Sequence, residues 1–389
     1  MKFQRNLFFL MVTLAVCACK PTPEKPVRIY ITEVESIPGE FGNISKGVSA
    51  SFAGLIDERL IVAGGCNFPD TAAAEGGKKV FYKDILLLDG RKWRKIGDLP
   101  RELAYGVSIS LPDGLLMMGG RNTDFFSSAV YRLKMDKTSE SLTIDSLLPL
   151  PVTADNFGGA VLNDVIYVAG GNQDGKPSAE VWGLELKNPV VGKKCPKIPS
   201  RPLVQPVVTA AAGNIYVMGG FDVAGDSLMA EVSQAVWMYA PGTAKWTKVA
   251  DYQTDINQYS LSGGAAVALS DDLILTLGGV NKTVFEEALN RNAYLAKFQP
   301  ILSDTLTTRL KEEAGNYMFH PEEWYKFNPT IKAFDTKNNT WSSLGQFQQT
   351  ALAGSTVVAN DKVIYVVNGE IKPGIRIPKI WKISLKQRD

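Results

Sequence analysis

Histidine is almost missing from this chain: there is one, His320, in 389 residues. A three-histidine zinc site or a histidine-rich copper site is therefore excluded. A Ser-His-Asp triad could draw only on His320. Basic excess is also missing, because Lys+Arg 42 stands against Asp+Glu 40 for a net charge of +2. A nucleic-acid partner, which needs a basic face, is not expected. Apolar runs long enough to span a bilayer are missing too. Cysteine is scarce, with four in all. Gly 35 and Pro 21 are scattered, which fits neither collagen nor a disordered tract. What remains for chemistry is carboxylates, arginines, amides and aromatics. Apolar residues at 45% can fill a sizeable core, as two or three ordinary domains or one large all-β domain.

The first residues read as an address. Lys2 and Arg5 precede the short apolar run from Leu7 to Val16, the pattern of a secretory signal. Val16-Cys17-Ala18-Cys19 resembles a bacterial lipobox with Cys19 as the lipidated residue. The proline-rich stretch from Lys20 to Pro26 has the composition of a tether. The expectation is a signal over 1–18, a tether over 19–26 and a folded unit over 27–389. The protein would be exported, as a periplasmic or outer-membrane lipoprotein of a Gram-negative-type bacterium, touching the membrane only through its lipid. Cys66 and Cys195 match no metal spacing and are expected as two separate buried thiols.

An apolar strand ending in a small-Gly or Gly-Gly pair recurs along the chain. It appears at Gly64-Gly65, Gly119-Gly120, Gly170-Gly171, Gly219-Gly220, Gly278-Gly279 and Asn368-Gly369. The steps between second residues are 55, 51, 49, 59 and 90. Four of these match the period of about 50 residues typical of kelch repeats. Each unit has a strand of small residues, the glycine-ended strand, and a third strand such as Asp84–Asp89. A Trp then opens a fourth, as at Trp93, Trp246 and Trp341. Four short antiparallel strands make one propeller blade. The expected fold is all-β: a six-bladed kelch-type β-propeller. The sixth unit lacks a fourth strand, so the alternating segment Val27–Thr32 is expected to pair into it and close the ring. The long last step predicts a partly helical insertion in the fifth blade, over about 282–328.

Residues just after the glycines reach one end of such a ring: Asn67, Arg121, Asn172, Asp222, Asn281 and Glu370. In the last unit Pro373-Gly374 makes a turn that returns Arg376 toward Glu370. The segment Asn368-Gly369-Glu370-Ile371-Lys372-Pro373-Gly374-Ile375-Arg376 resembles the catalytic segment of the bacterial N-acetylneuraminate epimerase family. Gly278-Gly279-Val280-Asn281 before a helical insertion, Ala104-Tyr105-Gly106-Val107-Ser108 and Gly213-Asn214-Ile215-Tyr216-Val217 are similar to the same family. The blade order is rotated, as in its cyclically permuted branch. The resemblance implies a mutarotase that interconverts the α and β anomers of an acidic sugar, sialic acid, with neither metal nor other cofactor. It implies Glu370 as acid/base and Arg376 as partner of the sugar carboxylate. Arg121, Asn67, Asn172, Asn281 and Arg201 are the candidate substrate contacts. The alternative is a non-catalytic carbohydrate-binding or protein-interaction kelch lipoprotein. A sialidase is disfavoured because its Ser-x-Asp-x-Gly-x-Thr-Trp turns are missing. A kelch copper oxidase would need a second histidine.

Overall fold

The computed structural model describes residues 27–136, 138–187, 192–223, 229–252, 257–298, 303–360 and 363–387. The expected signal, tether and lipidation site at Cys19 lie outside them. Each of the six repeats forms a four-stranded antiparallel sheet. In the first sheet the strands run Phe52–Ile56, Arg59–Ala63, Asp84–Asp89 and Lys92–Asp98 from the inside outward. The other inner strands are Val107–Leu111, Gly158–Leu162, Val207–Ala211, Ala265–Ser270 and Thr356–Ala359. Each second strand is sandwiched between neighbouring sheets, so it is apolar on both faces; Leu60, Ile61, Val62 and Ala63 are all buried.

The cores lie between adjacent sheets. Ile61, Ile85 and Leu87 of the first sheet pack with Leu115, Met117 and Leu133 of the second. Val62 of the first packs with Val358, Val367 and Ile380 of the sixth. Each such side chain contributes about 1.5–3 kcal/mol by leaving water. Val27–Val34 pairs antiparallel with Ile380–Gln387, from Val34 opposite Ile380 to Val27 opposite Gln387, and supplies the fourth strand of the sixth sheet.

Around the axis runs a cycle of backbone hydrogen bonds that returns to its start. Ala50 N–H donates to Gly354, Gly354 to Gly263, and Gly263 to Gln205. Gln205 donates to Asn156, Asn156 to Tyr105, and Tyr105 back to Ala50. All six residues are left-handed, with φ between 51° and 70°. That conformation turns both peptide groups into the circle. The glycines of the repeat have a related task. Gly369 sits at φ 115°, where a Cβ would lie 2.9 Å from Ser355 Cβ. Asn368 occupies the left-handed position that glycine holds in the other repeats, and its amide donates to the carbonyls of Ile377 and Lys379.

The insertion falls between the second and third strands of the fifth sheet. It contains α1 (Lys282–Phe298), α2 (Asp304–Asn316) and α3 (Glu322–Tyr325). Asn281 caps α1 by accepting from Val284 N–H at 3.0 Å. Phe285 and Leu289 of α1 pack on Val204, Phe221 and Val232 of the fourth repeat, so the insertion bridges to its neighbour. Among the described residues no helix is long and apolar enough to cross a membrane.

Candidate active site

The last repeat carries a short hairpin, Glu370–Lys372 against Ile375–Arg376, turned by Pro373-Gly374. Glu370 stands directly opposite Arg376 in its register. Arg376 Nη2 lies 2.6 Å from Glu370 Oε1. Ser49 completes the junction: its hydroxyl accepts from Arg376 Nε at 3.0 Å and donates to Glu370 Oε1 at 3.1 Å. Gly374 N–H donates to Glu370 Oε2 at 3.3 Å. The Phe68 ring lies under the guanidinium, 4.7 Å from its carbon. The Arg376 side chain is 3% exposed and Glu370 21%, so the carboxylate is the member that reaches open space. Buried Arg376 Nη1 has no partner among the described residues.

Glu370 forms part of the wall of an axial cavity of about 610 Å³. Tyr105, Gln205, Asn281, Tyr317 and Tyr325 share that wall. The aromatic members come largely from the insertion. Burial pushes the Tyr317 hydroxyl up to about 12. Next to the Glu370–Arg376 pair is a second polar cluster. Lys79 Nζ donates to Tyr105 Oη at 2.7 Å, and Cys66 Sγ lies 3.3 Å from the same oxygen. Burial lowers the Lys79 ammonium and raises the Tyr105 phenol; Arg376 and Arg121 press Lys79 further down.

The expected substrate contacts divide. The bridges after the glycine pairs join Ser49 to Cys66, Ala104 to Arg121, Val204 to Phe221, Tyr259 to Asn281 and Ala353 to Glu370. Asp155 pairs with Asn172 in the same way. The residues equivalent to Glu370 in the first and fourth repeats are thus Cys66 and Phe221. Asn67 and Asp222 sit one position later and point to the opposite side. Asn67 donates to the carbonyls of Asn43 and Gly47 and accepts from Tyr82. Asp222 and Glu231 pair with Arg201, whose Nη2 also donates to the Met229 carbonyl. Asn67 and Arg201 therefore spend their hydrogen-bonding groups on the scaffold. Asn281 lies on the cavity wall but serves as the α1 cap, and its amide donates to the Asn257 carbonyl. Asn172 donates to Asp155. Arg121 lies over the Phe126 ring at 4.9 Å, with Lys79 in its field.

Ser49, Lys79, Phe68 and Tyr105 were not singled out from the sequence as site residues. Only Tyr105 carried a signal, as part of a family-like segment. His320 stacks on Trp324 with centroids 4.0 Å apart, and its carbonyl accepts from Lys372. Both described cysteines are free; Cys66 is buried and Cys195 half-buried. No cluster of metal-ligating side chains occurs among the described residues.

Six four-stranded sheets about a common axis, with a carboxylate–guanidinium pair at the axial cavity, define a six-bladed β-propeller with a polar axial site. The chain belongs to the N-acetylneuraminate epimerase family, whose sequence model matches residues 24–144 and 148–389. It is similar to the N-acetylneuraminate epimerase of Pasteurella multocida, 29% identical over 236 residues, covering 59% of this chain and 56% of that protein. The protein of the same name from Brucella melitensis is 29% identical over 242 residues, covering 61% and 58%. That from Salmonella typhimurium is 26% identical over 239 residues, again covering 61% and 58%. Each match thus spans less than two thirds of the relative's length. A solved structure titled "Structure of YjhT" aligns with TM-score 0.49 and 24% identity over 59% of this chain and 62% of that one.

Proposed function

We propose that this protein is a mutarotase that interconverts the α and β anomers of N-acetylneuraminic acid by acid/base proton transfer. The observation that carries this reading is the Glu370 carboxylate, oriented by Arg376, Ser49 and the Gly374 N–H at the wall of a cavity of sugar size. Family membership and the names of the relatives support it. Opening the sugar ring requires a base at the anomeric hydroxyl. Glu370 Oε2 receives only one backbone N–H among the described residues, so it keeps acceptor capacity for that hydroxyl. Ser49 and Arg376 hold the other oxygen and set the direction of attack. Arg376, expected as the partner of the sugar carboxylate, is buried with its Nη1 shut off from open space, so its role in this structure is to orient Glu370.

Export and lipidation at Cys19 are part of the same proposal, supported by the basic and apolar residues before it. Radiolabelled palmitate incorporation that disappears in Cys19→Ala would test that part. For the activity, NMR exchange spectroscopy on sialic acid measures anomer interconversion directly. The wild-type protein is expected to accelerate it. Exchange at the uncatalysed rate overturns the proposal.

A further inference from the structure

We infer that Tyr105, supplied with protons by Lys79, is a second proton-transfer group of this site, acting on the sugar ring oxygen while Glu370 acts on the anomeric hydroxyl. The inference rests on the mutarotase reading and adds the acid that Glu370 alone leaves unnamed.

The geometry carries it. Tyr105 and Glu370 share the wall of one cavity. They are linked by a run of side chains: Glu370 Oε1 to Ser49 Oγ at 3.1 Å, Ser49 Oγ to Cys66 Sγ at 4.0 Å, Cys66 Sγ to Tyr105 Oη at 3.3 Å. Lys79 Nζ then stands 2.7 Å from the phenol oxygen. An ammonium can only donate, so the Tyr105 oxygen accepts from Lys79. The Cys66 thiol donates to the same oxygen at 3.3 Å, so the phenol keeps its own proton for an acceptor elsewhere. A ligand oxygen in the cavity can be that acceptor.

The other phenols of the cavity lack this arrangement. Tyr325 spends its hydroxyl on the Tyr317 carbonyl. Tyr317 has Arg291 at 5.9 Å from its ring centroid and no ammonium hydrogen-bonded to its hydroxyl among the described residues. Tyr105 is also the bulky member of the left-handed cycle, at φ 64°, where the others are Ala50, Asn156, Gln205, Gly263 and Gly354. A tyrosine there costs backbone energy that a smaller residue or glycine would reduce. Burial and the cations Arg376 and Arg121 lower the Lys79 ammonium toward the range in which it can give up a proton; Cys66 and Glu370 act the other way. Burial keeps the Tyr105 phenol protonated, in the form that donates.

The steps balance. The anomeric O–H gives its proton to Glu370 while the ring C–O bond breaks. The bond's electron pair moves to the ring oxygen, which takes the Tyr105 proton, and the anomeric carbon becomes a ketone. Lys79 reprotonates the phenolate. After rotation about the neighbouring C–C bond, the freed hydroxyl adds to the other face of the ketone. Its proton returns through Tyr105 to Lys79, and Glu370 returns its proton to the carbonyl oxygen. No oxidant, reductant or co-reactant is consumed.

The test is exchange spectroscopy on purified wild type, Tyr105→Phe and Lys79→Gln, with melting curves as the folding control. Tyr105→Phe is expected to lower kcat about 10²-fold or more with KM nearly unchanged. Lys79→Gln is expected to lower kcat and to erase the alkaline limb that wild type shows as Lys79 loses its proton. The groups facing Lys79 are Tyr105, Cys66, Glu370, Arg376 and Arg121, and none is altered in that variant. Should Tyr105→Phe fail to fold, the Lys79→Gln profile decides alone: a limb identical to wild type overturns the inference. Tyr105→Phe turning over at the wild-type rate overturns it while leaving Glu370 and the mutarotase reading intact. Wild type without acceleration overturns both.

Discussion

The Ser49 hydroxyl meets the Glu370 carboxylate at 3.1 Å, across the joint between the first and sixth sheets. The same joint is stitched by the backbone, with Ala50 N–H on the Gly354 carbonyl at 2.7 Å and Gly369 N–H on the Val48 carbonyl at 3.0 Å. The candidate base is thus oriented by a residue from the other end of the chain. Ser49→Ala removes two hydrogen bonds to charged groups, one to Glu370 and one from Arg376, each worth about 1.5–3 kcal/mol. Anomer exchange should slow about tenfold or more, and the melting temperature should fall by a few degrees. An unaltered rate would show that Ser49 does not orient Glu370.

Glu370→Gln keeps the shape of the side chain and a hydrogen bond to Arg376 but no longer accepts a proton. The catalysed rate should fall by about 10² to 10⁴ with the fold retained. Glu370→Ala should in addition lower stability, because Arg376, 3% exposed, loses its carboxylate. Circular dichroism melts of the two variants separate the chemical role from the structural one. Equal melting temperatures would contradict the pairing argument.

Gly47 sits at φ 90°, and a Cβ there would lie 2.3 Å from the Ile377 carbonyl. Ile377 follows Arg376, so Gly47→Ala pushes on the hairpin that carries the pair. Stability should drop by about 1–3 kcal/mol and turnover should fall with it. Denaturant titration and exchange spectroscopy on the same sample check both. A variant with wild-type stability would mean the hairpin yields freely.

Removing Val27–Val34 strips the fourth strand from the sixth sheet and exposes the edge of Ile380–Gln387. It also uncovers Ile383, which is fully buried, from Ile29 and Ile31. The shortened protein should melt well below the full chain and self-associate through the bare edge. Size-exclusion chromatography at several concentrations reads the association. A stable monomer would show that this strand is dispensable.

The Lys79 ammonium is held below its ordinary value of 10.5, mainly by burial. Between the folded pKa and 10.5 the unfolded chain binds more protons than the folded one, so this group makes stability rise with pH there. Below the folded pKa the cost of burying the charge is in full force. The melting temperature of wild type minus that of Lys79→Gln should therefore increase with pH through that window and level off above it. A difference that stays flat would place the ammonium in water.

Much of the framework could be read directly from the residues. Asp84–Asp89 and the strands opened by Trp93, Trp246 and Trp341 fall where the repeat anatomy and the aromatics put them. The Glu370–Arg376 contact was also readable, because Pro373-Gly374 makes it a matter of a few residues. The equivalence of Asn67 and Asp222 with Glu370 was not. It failed by one position, and in a strand one position turns a side chain to the other face.

The sequence alone therefore determined what depends on near neighbours: six strand units, the insertion, and a hairpin presenting a carboxylate beside an arginine. Only the tertiary structure decided the company that hairpin keeps. Ser49, Cys66 and Lys79 of the first repeat and Tyr105 of the second reach Glu370 because the cycle of backbone hydrogen bonds seats the first sheet beside the sixth. Nothing in their local spacing encodes that adjacency. It arises from packing apolar faces of successive sheets around one axis, which brings Val27–Val34 beside Ile380–Gln387.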